Sequence, residues 1–167
     1  MTPALRFREA ADAADVATVE RLLAAADLPT DDVRAGAARF VLATPAAGSA
    51  AADAADAAPG STPQTDPDAV AVGGLEAVGD AALLRSVAVS PGRRGEGVGS
   101  AMVAELERRA AADGVAVLVL LTTDAAGFFA AHGYERIDRA EIPAALRSTP
   151  QVASLCPDSA TVLCKRL

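Results

Sequence analysis

The sequence predicts an α/β fold in which helices cover the faces of a mixed β-sheet. Strand-like and helix-like segments follow one another in the order β-α-β-β-β-α-β-α-β-β. The segment VAVLVLLT, residues 115–122, is apolar without a break, which is typical of a central strand covered on both faces. Hydrophobic residues make up 51% of the 167 residues but aromatic residues only 3%, so we expect a core of Val, Leu and Ala.

The first part of the chain predicts a strand, a helix and a second strand. The alternating segment ALRFREA, residues 4–10, indicates the first strand. The next segment has helical spacing and ends before Pro29. Its apolar face contains Val16, Val19, Leu22 and Leu23. The second strand is predicted at Ala38–Thr44, ARFVLAT.

The length predicts a single domain, residues 1–167, because two ordinary domains need a longer chain. An insertion at about residues 45–67 is rich in Pro, Gly, Ser, Ala and Asp and has no aromatic or large aliphatic residue. We expect it to be disordered, since it cannot bury enough apolar surface to offset the entropy of ordering.

The central part predicts two strands, AVAVGGLE at 69–76 and AALLRSVAVS at 81–90, joined by a tight turn at Gly79. A helix is expected at Ser100–Asp113, ended by Gly114, with an apolar face made of Met102, Leu106 and Ala110.

The last part predicts a short helix and two closing strands. The helix lies within DAAGFFAAHG, residues 124–133, and ends at its final glycine. The strands are YERIDRAEI, residues 134–142, and SATVLCKRL, residues 159–167.

Charge and composition exclude several classes of protein. The net charge of −7 argues against nucleic acid as a partner. No apolar stretch is long enough to span a membrane, and charges interrupt the N-terminus where a signal peptide is apolar, so we expect a cytoplasmic protein. Cys156 and Cys164 are too few for a disulfide framework, and without a third soft ligand they predict no metal site.

The stretch SPGRRGEGVGSAMV, Ser90–Val103, lies between a predicted strand and a predicted helix. Glycines there allow several backbone N–H groups to face one point, and the helix N-terminus adds partial positive charge. Gly95, Gly97 and Gly99 form the pattern G-x-G-x-G, which is not the G-x-G-x-x-G pattern of a dinucleotide-binding loop, and the lysine of a P-loop is absent. The stretch therefore predicts a phosphate site of another kind.

This loop resembles the acyl-CoA pyrophosphate loop of the GNAT acetyltransferases, R-x-x-G-x-G, present here as Arg94, Gly97 and Gly99. LLRSVAVSPGRRGEGVGSAMVAELERRA is similar to the family's fourth strand, turn and third helix, and AAGFFAAHGYERI to its fourth helix and sixth strand. The resemblance runs from about Leu75 onward. It implies the GNAT fold, with six to seven strands and about four helices.

Segments from the second half of the chain resemble one subgroup of the family in particular. Segments such as LLRSVAVSP, LLTTDAAGFFAAHGY and DRAEIPAALRSTP resemble the GNAT subgroup associated with arsenic-resistance gene clusters. That subgroup is in turn similar to the acetyltransferase module of N-acetylglutamate synthases.

The resemblance implies acetyl-CoA as co-substrate and assigns residues to it. The backbone of Val87, Ala88 and Val89 is expected to pair with the pantetheine arm. Thr122 stands where relatives carry an Asn that contacts pantetheine. The pyrophosphate is expected on Arg94, Gly95, Glu96, Gly97, Val98, Gly99 and Ser100.

The catalytic groups depart from the family pattern. Relatives carry Phe-Tyr on the fourth helix, with the tyrosine as general acid, whereas this chain has Phe128 and Phe129. Tyr134 is a candidate acid or a core aromatic. Glu76 is a candidate base or the partner of an arginine on the neighbouring strand. We expect His132, the sole histidine, at a solvent-facing helix end.

Candidate substrate residues are polar groups near the end of the chain and one arginine inside a strand: Arg85, Arg139, Arg147 and Ser159. Arginines there are suited to bind a substrate carboxylate through two parallel hydrogen bonds. For Arg147 an ordinary surface position is the alternative.

The sequence therefore predicts an acetyl-CoA-dependent N-acetyltransferase that acts on a primary amine of a small molecule, an amino acid or an amino-acid-like toxin such as an arsenical. The alternative is a non-catalytic acyl-CoA-binding regulatory module of the same fold. We expect a monomer or a homodimer.

Overall fold

A computed structural model describes residues 3–46, 69–150, 152–153 and 159–167. Seven strands form one sheet in the order β1-β2-β3-β4-β5-β7-β6. The strands are β1 (Leu5–Glu9), β2 (Arg39–Pro45), β3 (Ala71–Val78), β4 (Ala81–Val89), β5 (Val117–Thr122), β6 (Glu135–Ile137) and β7 (Thr161–Arg166). The α-helices of the described ranges are α1 (Ala13–Ala25), α2 (Val98–Ala112), α3 (Ala126–Ala130) and α4 (Ala144–Arg147).

Helices pack on both faces of the sheet, which confirms the predicted fold class. On one face the apolar residues of α2 and α3, among them Met102, Leu106 and Phe129, pack against Leu118 and Leu120 of β5. The other face is covered by two helices over different strands. Leu22 and Leu23 of α1 pack on β2 and β3, and Leu146 of α4 packs on Leu83 and Val119. β5 is therefore buried on both sides, as its apolar sequence predicts.

The side chains of α2 pack closely on Gly73 of β3. A Cβ atom there would lie 2.5 Å from Leu106 Cδ1 and 3.1 Å from Met102 Cγ. Because real Cβ atoms do not approach so closely, a larger residue at this position would have to displace the Leu106 and Met102 side chains.

β4 changes partner along its length. It pairs in parallel with β5 over Ala81–Leu83 and Val117–Val119, and within the described residues no further pairs join the two strands. Further along, a bulge interrupts the pairing of β4 with β3, between the pairs Gly74–Arg85 and Val72–Ala88. Ser86, in the bulge, has φ of 56°. An extra residue in the left-handed region bends the strand, so the second half of β4 diverges from β5.

Most predicted elements occur close to their expected positions. α2 begins at Val98, within the glycine loop, two residues before the predicted start at Ser100. β6 has three residues rather than the nine of the predicted segment 134–142. A 3-10 turn at Arg139–Glu141 replaces its second half, because Asp138 and Glu141 form a capping box there.

The predicted disordered insertion lies outside the described residues except for its first two positions. There Pro45 ends β2, and the Ala46 amide donates to the Ala4 carbonyl at 2.9 Å. Within the described ranges, no helix has the length and apolar character needed to cross a membrane.

Candidate functional site

Where β4 has diverged from β5, the end of β4 lines a cavity of about 690 Å³. The loop after β4, the start of α2, α3 with the residues before it, and the residues at the end of α1 complete the lining. The lining includes Asp27, Leu28, Val87, Ala88, Val89, Arg93, Arg94, Gly95, Gly97, Gly99, Ser100, Asp124, Phe128 and Phe129.

The loop between β4 and α2 presents backbone N–H groups to this cavity. Gly95 and Gly97 have φ of 80° and 83°, a conformation that side chains rarely adopt. Gly97 is also the N-cap of α2, and no side chain caps this helix end. The first N–H groups of α2 and its positive dipole end are therefore oriented toward an external acceptor. The arrangement is suited to bind an anion such as a phosphate.

Two arginines add positive charge to this wall. The exposed Arg94 donates from Nε to the Val89 carbonyl at 3.2 Å, which holds it at the end of β4. Arg93 is half-buried and forms an ion pair with Glu96, with 3.1 Å between Nε and Oε2. Glu96 thus holds the loop arginine, and Val98 is buried in the core beside the loop. The residues predicted for the pyrophosphate lie together in one loop and helix turn.

Thr122 supports the wall formed by α3. Its Oγ1 accepts a hydrogen bond of 3.0 Å from the Ala125 amide, next to the start of the helix. Thr122 is not among the residues that line the cavity.

Two phenylalanine rings of α3 face the cavity. Phe128 is 37% exposed, and Phe129 is buried. The two rings meet edge to face with centroids 5.0 Å apart. Gly99 is in contact with this wall, since a Cβ atom there would lie 3.4 Å from Phe128 Cζ. The part of the cavity next to the β4–β5 gap is therefore apolar on the α3 side.

Tyr134 lies behind Phe129, inside the apolar core, and does not line the cavity. Its ring meets Phe129 edge to face at 5.6 Å. Burial and the nearby Glu107 carboxylate raise the pKa of the Tyr134 hydroxyl well above its ordinary value. The structure separates this candidate acid from the cavity by a phenylalanine ring.

Ser100, in the first turn of α2, is bonded to His132. The distance from Ser100 Oγ to His132 Nε2 is 2.9 Å, and Nδ1 lies 2.7 Å from the Phe128 carbonyl oxygen. The position of His132 in the sequence predicts a solvent-facing helix end, but the side chain is half-buried and links the end of α3 to α2. Because 32 positions separate the two residues, local pattern carries no signal of this contact.

Glu76 and Arg85 form a buried cluster with Asp32. Arg85 donates from both terminal nitrogens to the Asp32 carboxylate and from Nη1 to Glu76 Oε2 at 3.5 Å. The side chains of Arg85 and Glu76 are 2% and 7% exposed. The hydrogen-bonding groups of Arg85 are directed at protein acceptors, and neither residue lines the cavity.

The other candidate substrate residues lie on the α4 side of the sheet. Arg147 donates from Nε to the Ile142 carbonyl at 2.9 Å and from Nη2 to the Ala140 carbonyl. Arg139 donates to the Val152 carbonyl at 3.3 Å, and Ser159 is exposed in a turn before β7. The structure does not bring these three residues to the cavity.

The cysteines contribute no cluster that the structure describes. Cys164 of β7 is partly buried, and burial raises the pKa of its thiol. Cys156 lies outside the described residues. Within the described ranges, no three His, Cys, Asp or Glu side chains lie close enough together to hold a metal ion.

Comparison with known proteins finds a family model that matches the central part of the chain. Residues 65–136, which include β3, β4, the glycine loop, α2 and α3, match the family described as the acetyltransferase (GNAT) domain. No curated protein sequence matches the chain.

Solved structures with the same fold cover nearly the whole chain. N-acetylglutamate synthase from Neisseria gonorrhoeae, complexed with coenzyme A and L-arginine, has a TM-score of 0.68 and 17% identity over 99% of this chain. The chain spans 34% of that synthase. A GNAT acetyltransferase from Staphylococcus aureus Mu50 has a TM-score of 0.69 and 13% identity, covering 98% of this chain and 99% of its own.

A third similar structure is a Mycobacterium tuberculosis protein in complex with CoA. Its TM-score is 0.65 at 20% identity, and the match covers 99% of both chains. At sequence identities of 13% to 20%, structural similarity shows the fold alone. The chain therefore has the GNAT fold, and its strand–loop–helix segment lies within the part that matches the acetyltransferase (GNAT) domain model.

Proposed function

We propose that the protein is an N-acetyltransferase that transfers the acetyl group of acetyl-CoA to a primary amine of a small molecule. The observation that supports this most strongly is the continuous cavity that runs from Val87–Val89 of β4, beyond the pairing with β5, to the N-terminus of α2. A gap between strands suits an extended pantetheine arm, and a helix N-terminus with Arg93 and Arg94 beside it suits a pyrophosphate.

The chain's own residues fit acetyl-CoA in three places. The backbone of Val87–Val89, which forms no ladder pair with β5 within the described residues, offers hydrogen bonds to the amide groups of the arm. The glycine loop and the first turn of α2 offer N–H donors to the phosphates. Phe128 and Phe129 exclude water from the gap beside β4.

The reaction needs little more than positioning. The amine nitrogen forms a bond to the thioester carbon, the carbon–sulfur bond breaks, and the sulfur leaves as a thiolate that takes a proton from water. The proton lost by the amine also passes to water. A bound geometry of this kind supplies a large part of the barrier reduction, because two reactants become one oriented complex.

For the acceptor we propose an amine of the amino-acid class. One of the similar structures is named N-acetylglutamate synthase, and this name refers to an acetylated amino acid. The carboxylate of Asp27, in the cavity wall at the end of α1, is suited to attract an ammonium group. We assign the substrate carboxylate to neither Arg85 nor Arg147, since both donate to protein oxygens. An arsenical acceptor stays a prediction of the sequence resemblance.

The test is release of free CoA thiol from acetyl-CoA with a panel of amino acids, their amides and simple alkyl amines. We expect thiol release that depends on the amine, with an acetylated amine as product by mass spectrometry. Calorimetry with CoA, run in parallel, measures binding without turnover.

A non-catalytic acyl-CoA-binding module is the second candidate. The observation that favours it is the α3 wall of the cavity, where the two aromatic side chains are phenylalanines and the sole tyrosine lies behind them. Tight binding of acetyl-CoA with no thiol release above background for any amine would support this alternative over the enzyme.

A further inference from the structure

His132 contacts two residues that line the cavity, Ser100 and Phe128, and the proposed function gives it no role. Its Nδ1 is 2.7 Å from the Phe128 carbonyl oxygen, and its Nε2 is 2.9 Å from Ser100 Oγ. The imidazole also lies against the Phe128 ring, with centroids 4.5 Å apart. Ser100 and Phe128 both line the cavity. The imidazole therefore lies directly behind the cavity lining, in contact with the Ser100 hydroxyl.

The two hydrogen bonds determine where the imidazole carries its hydrogens. A carbonyl oxygen only accepts hydrogen bonds, so Nδ1 carries a hydrogen in the neutral and in the protonated ring. In the neutral ring Nε2 is then an acceptor, and the Ser100 hydroxyl donates to it. In the protonated ring Nε2 donates to Ser100 Oγ, which leaves the hydroxyl hydrogen free to point elsewhere. Protonation of His132 therefore reverses one hydrogen bond at the cavity wall.

We propose that His132 is a positioning residue that turns the Ser100 hydroxyl toward a phosphate of acetyl-CoA when its imidazole is protonated. This rests on the proposed function, in which the first turn of α2 holds the pyrophosphate. The protonated ring adds a positive charge next to Ser100, and the released hydroxyl adds a donor. Both changes strengthen phosphate binding, so the affinity for the cofactor rises as pH falls through the titration of the imidazole.

The charged groups near His132 come from β7, α2, the loop between β4 and α2, and the segment before α3. Lys165 of β7 donates from Nζ to the His132 carbonyl oxygen at 2.9 Å, and it is paired with Glu107 of α2 at 3.0 Å. Arg93 and Arg94 of the loop, and Asp124 before α3, line the same cavity. His132 is the sole histidine of the chain.

The first experiment measures binding of dephospho-CoA by calorimetry at pH 8 and pH 5.5. This ligand keeps the pyrophosphate but lacks the 3′-phosphate, whose own titration near pH 6 would obscure the effect. For the unaltered protein we expect about fivefold tighter binding at pH 5.5. His132→Phe keeps a ring against Phe128 but loses both hydrogen bonds, and its affinity should not change with pH. Ser100→Ala should keep only the charge effect, about twofold.

A second experiment follows the imidazole directly by proton NMR of tag-free protein, in which the sole histidine needs no further assignment. By reciprocity, dephospho-CoA should raise the pH midpoint of the imidazole resonances by about 0.7, which corresponds to a fivefold change in affinity. Pantetheine, which lacks the pyrophosphate, should leave the midpoint unchanged.

Three outcomes would overturn the role of His132 while leaving the proposed function standing. In the first, the affinity for dephospho-CoA does not depend on pH. In the second, the affinity depends on pH in His132→Phe, or depends on pH in Ser100→Ala as strongly as in the unaltered protein. In the third, pantetheine shifts the pH midpoint of the imidazole resonances as far as dephospho-CoA does. A protein that binds no dephospho-CoA at any pH would contradict the proposed function, and this role with it.

Discussion

The glycine loop at Pro91–Ser100 and the cluster of Asp32, Glu76 and Arg85 both place arginines beside β4, but the arginines have different partners. In the loop, Arg94 is exposed and donates to a single carbonyl, and the first N–H groups of α2 have no side-chain cap. In the cluster, Arg85 is buried and donates to two carboxylates and to Ser86. The N–H donors of the loop are therefore available to an external anion, whereas the guanidinium donors of the cluster bind carboxylates of the protein itself.

This difference shows why an arginine inside an apolar strand is a weak signal of substrate binding. A guanidinium buried in the fold must find acceptors there, since an unpaired buried charge is costly. Asp32 supplies them from the segment between α1 and β2, which also carries Asp27 and Leu28 of the cavity wall. We infer that the cluster shapes the cavity indirectly, by fixing that segment to β4.

The largest effect is expected for Arg85→Met. It removes the guanidinium that the Asp32 and Glu76 carboxylates share, which should lower the free energy of unfolding by about 3–5 kcal/mol. Chemical denaturation measures the change, with Arg147→Met as control. That exposed arginine donates to two carbonyls, so its loss should cost about 1 kcal/mol. Equal losses in the two variants would contradict the distinction between a buried cluster and a surface contact.

Gly97→Glu tests the loop. A carboxylate at the N-cap of α2 repels phosphate, and a side chain there closes the backbone cradle, so CoA affinity should fall by about 100-fold or more. The matched control is Gly36→Glu, at another exposed glycine with positive φ of 76° and open space around it. The two variants share the backbone strain, and calorimetry should show unchanged CoA affinity for the control. A similar affinity loss in both would mean that strain, not the cradle, is responsible.

Arg94→Gln separates the contribution of side-chain charge in the loop from that of the backbone. Because Arg94 is exposed, we expect about a threefold loss of CoA affinity at low salt and a smaller loss at high salt. Binding measured at two salt concentrations checks this. A loss comparable to that of Gly97→Glu would show that the arginine, rather than the helix N-terminus, provides most of the binding.

The smallest effect is expected for Tyr134→Phe. Since Tyr134 lies in the core behind Phe129, removal of its hydroxyl should change kcat less than about twofold and stability by about 1 kcal/mol. Steady-state kinetics with the best amine of the panel measures the change. A loss of kcat by orders of magnitude, with stability retained, would restore Tyr134 as a general acid.

The sequence by itself determined the order of the elements and the phosphate loop. Helical and strand periods are local properties, and Gly79, Gly114 and Gly133 mark ends where the backbone has positive φ, as observed. The sequence also predicts the glycine loop, because a strand, a run of glycines and a helix are consecutive in the chain. It does not predict α4, since a four-residue helix is too short to show the spacing of apolar residues that is typical of a helix.

Only the tertiary structure decided which side chains meet. Arg85 and Asp32 are 53 positions apart, and Ser100 and His132 are 32 apart. Whether Arg85 binds a ligand or an aspartate depends on where the segment after α1 packs. Whether His132 faces solvent or a serine depends on how α3 lies against α2. Such contacts are set by packing of many apolar residues across the sheet, and no local pattern in the chain encodes their outcome.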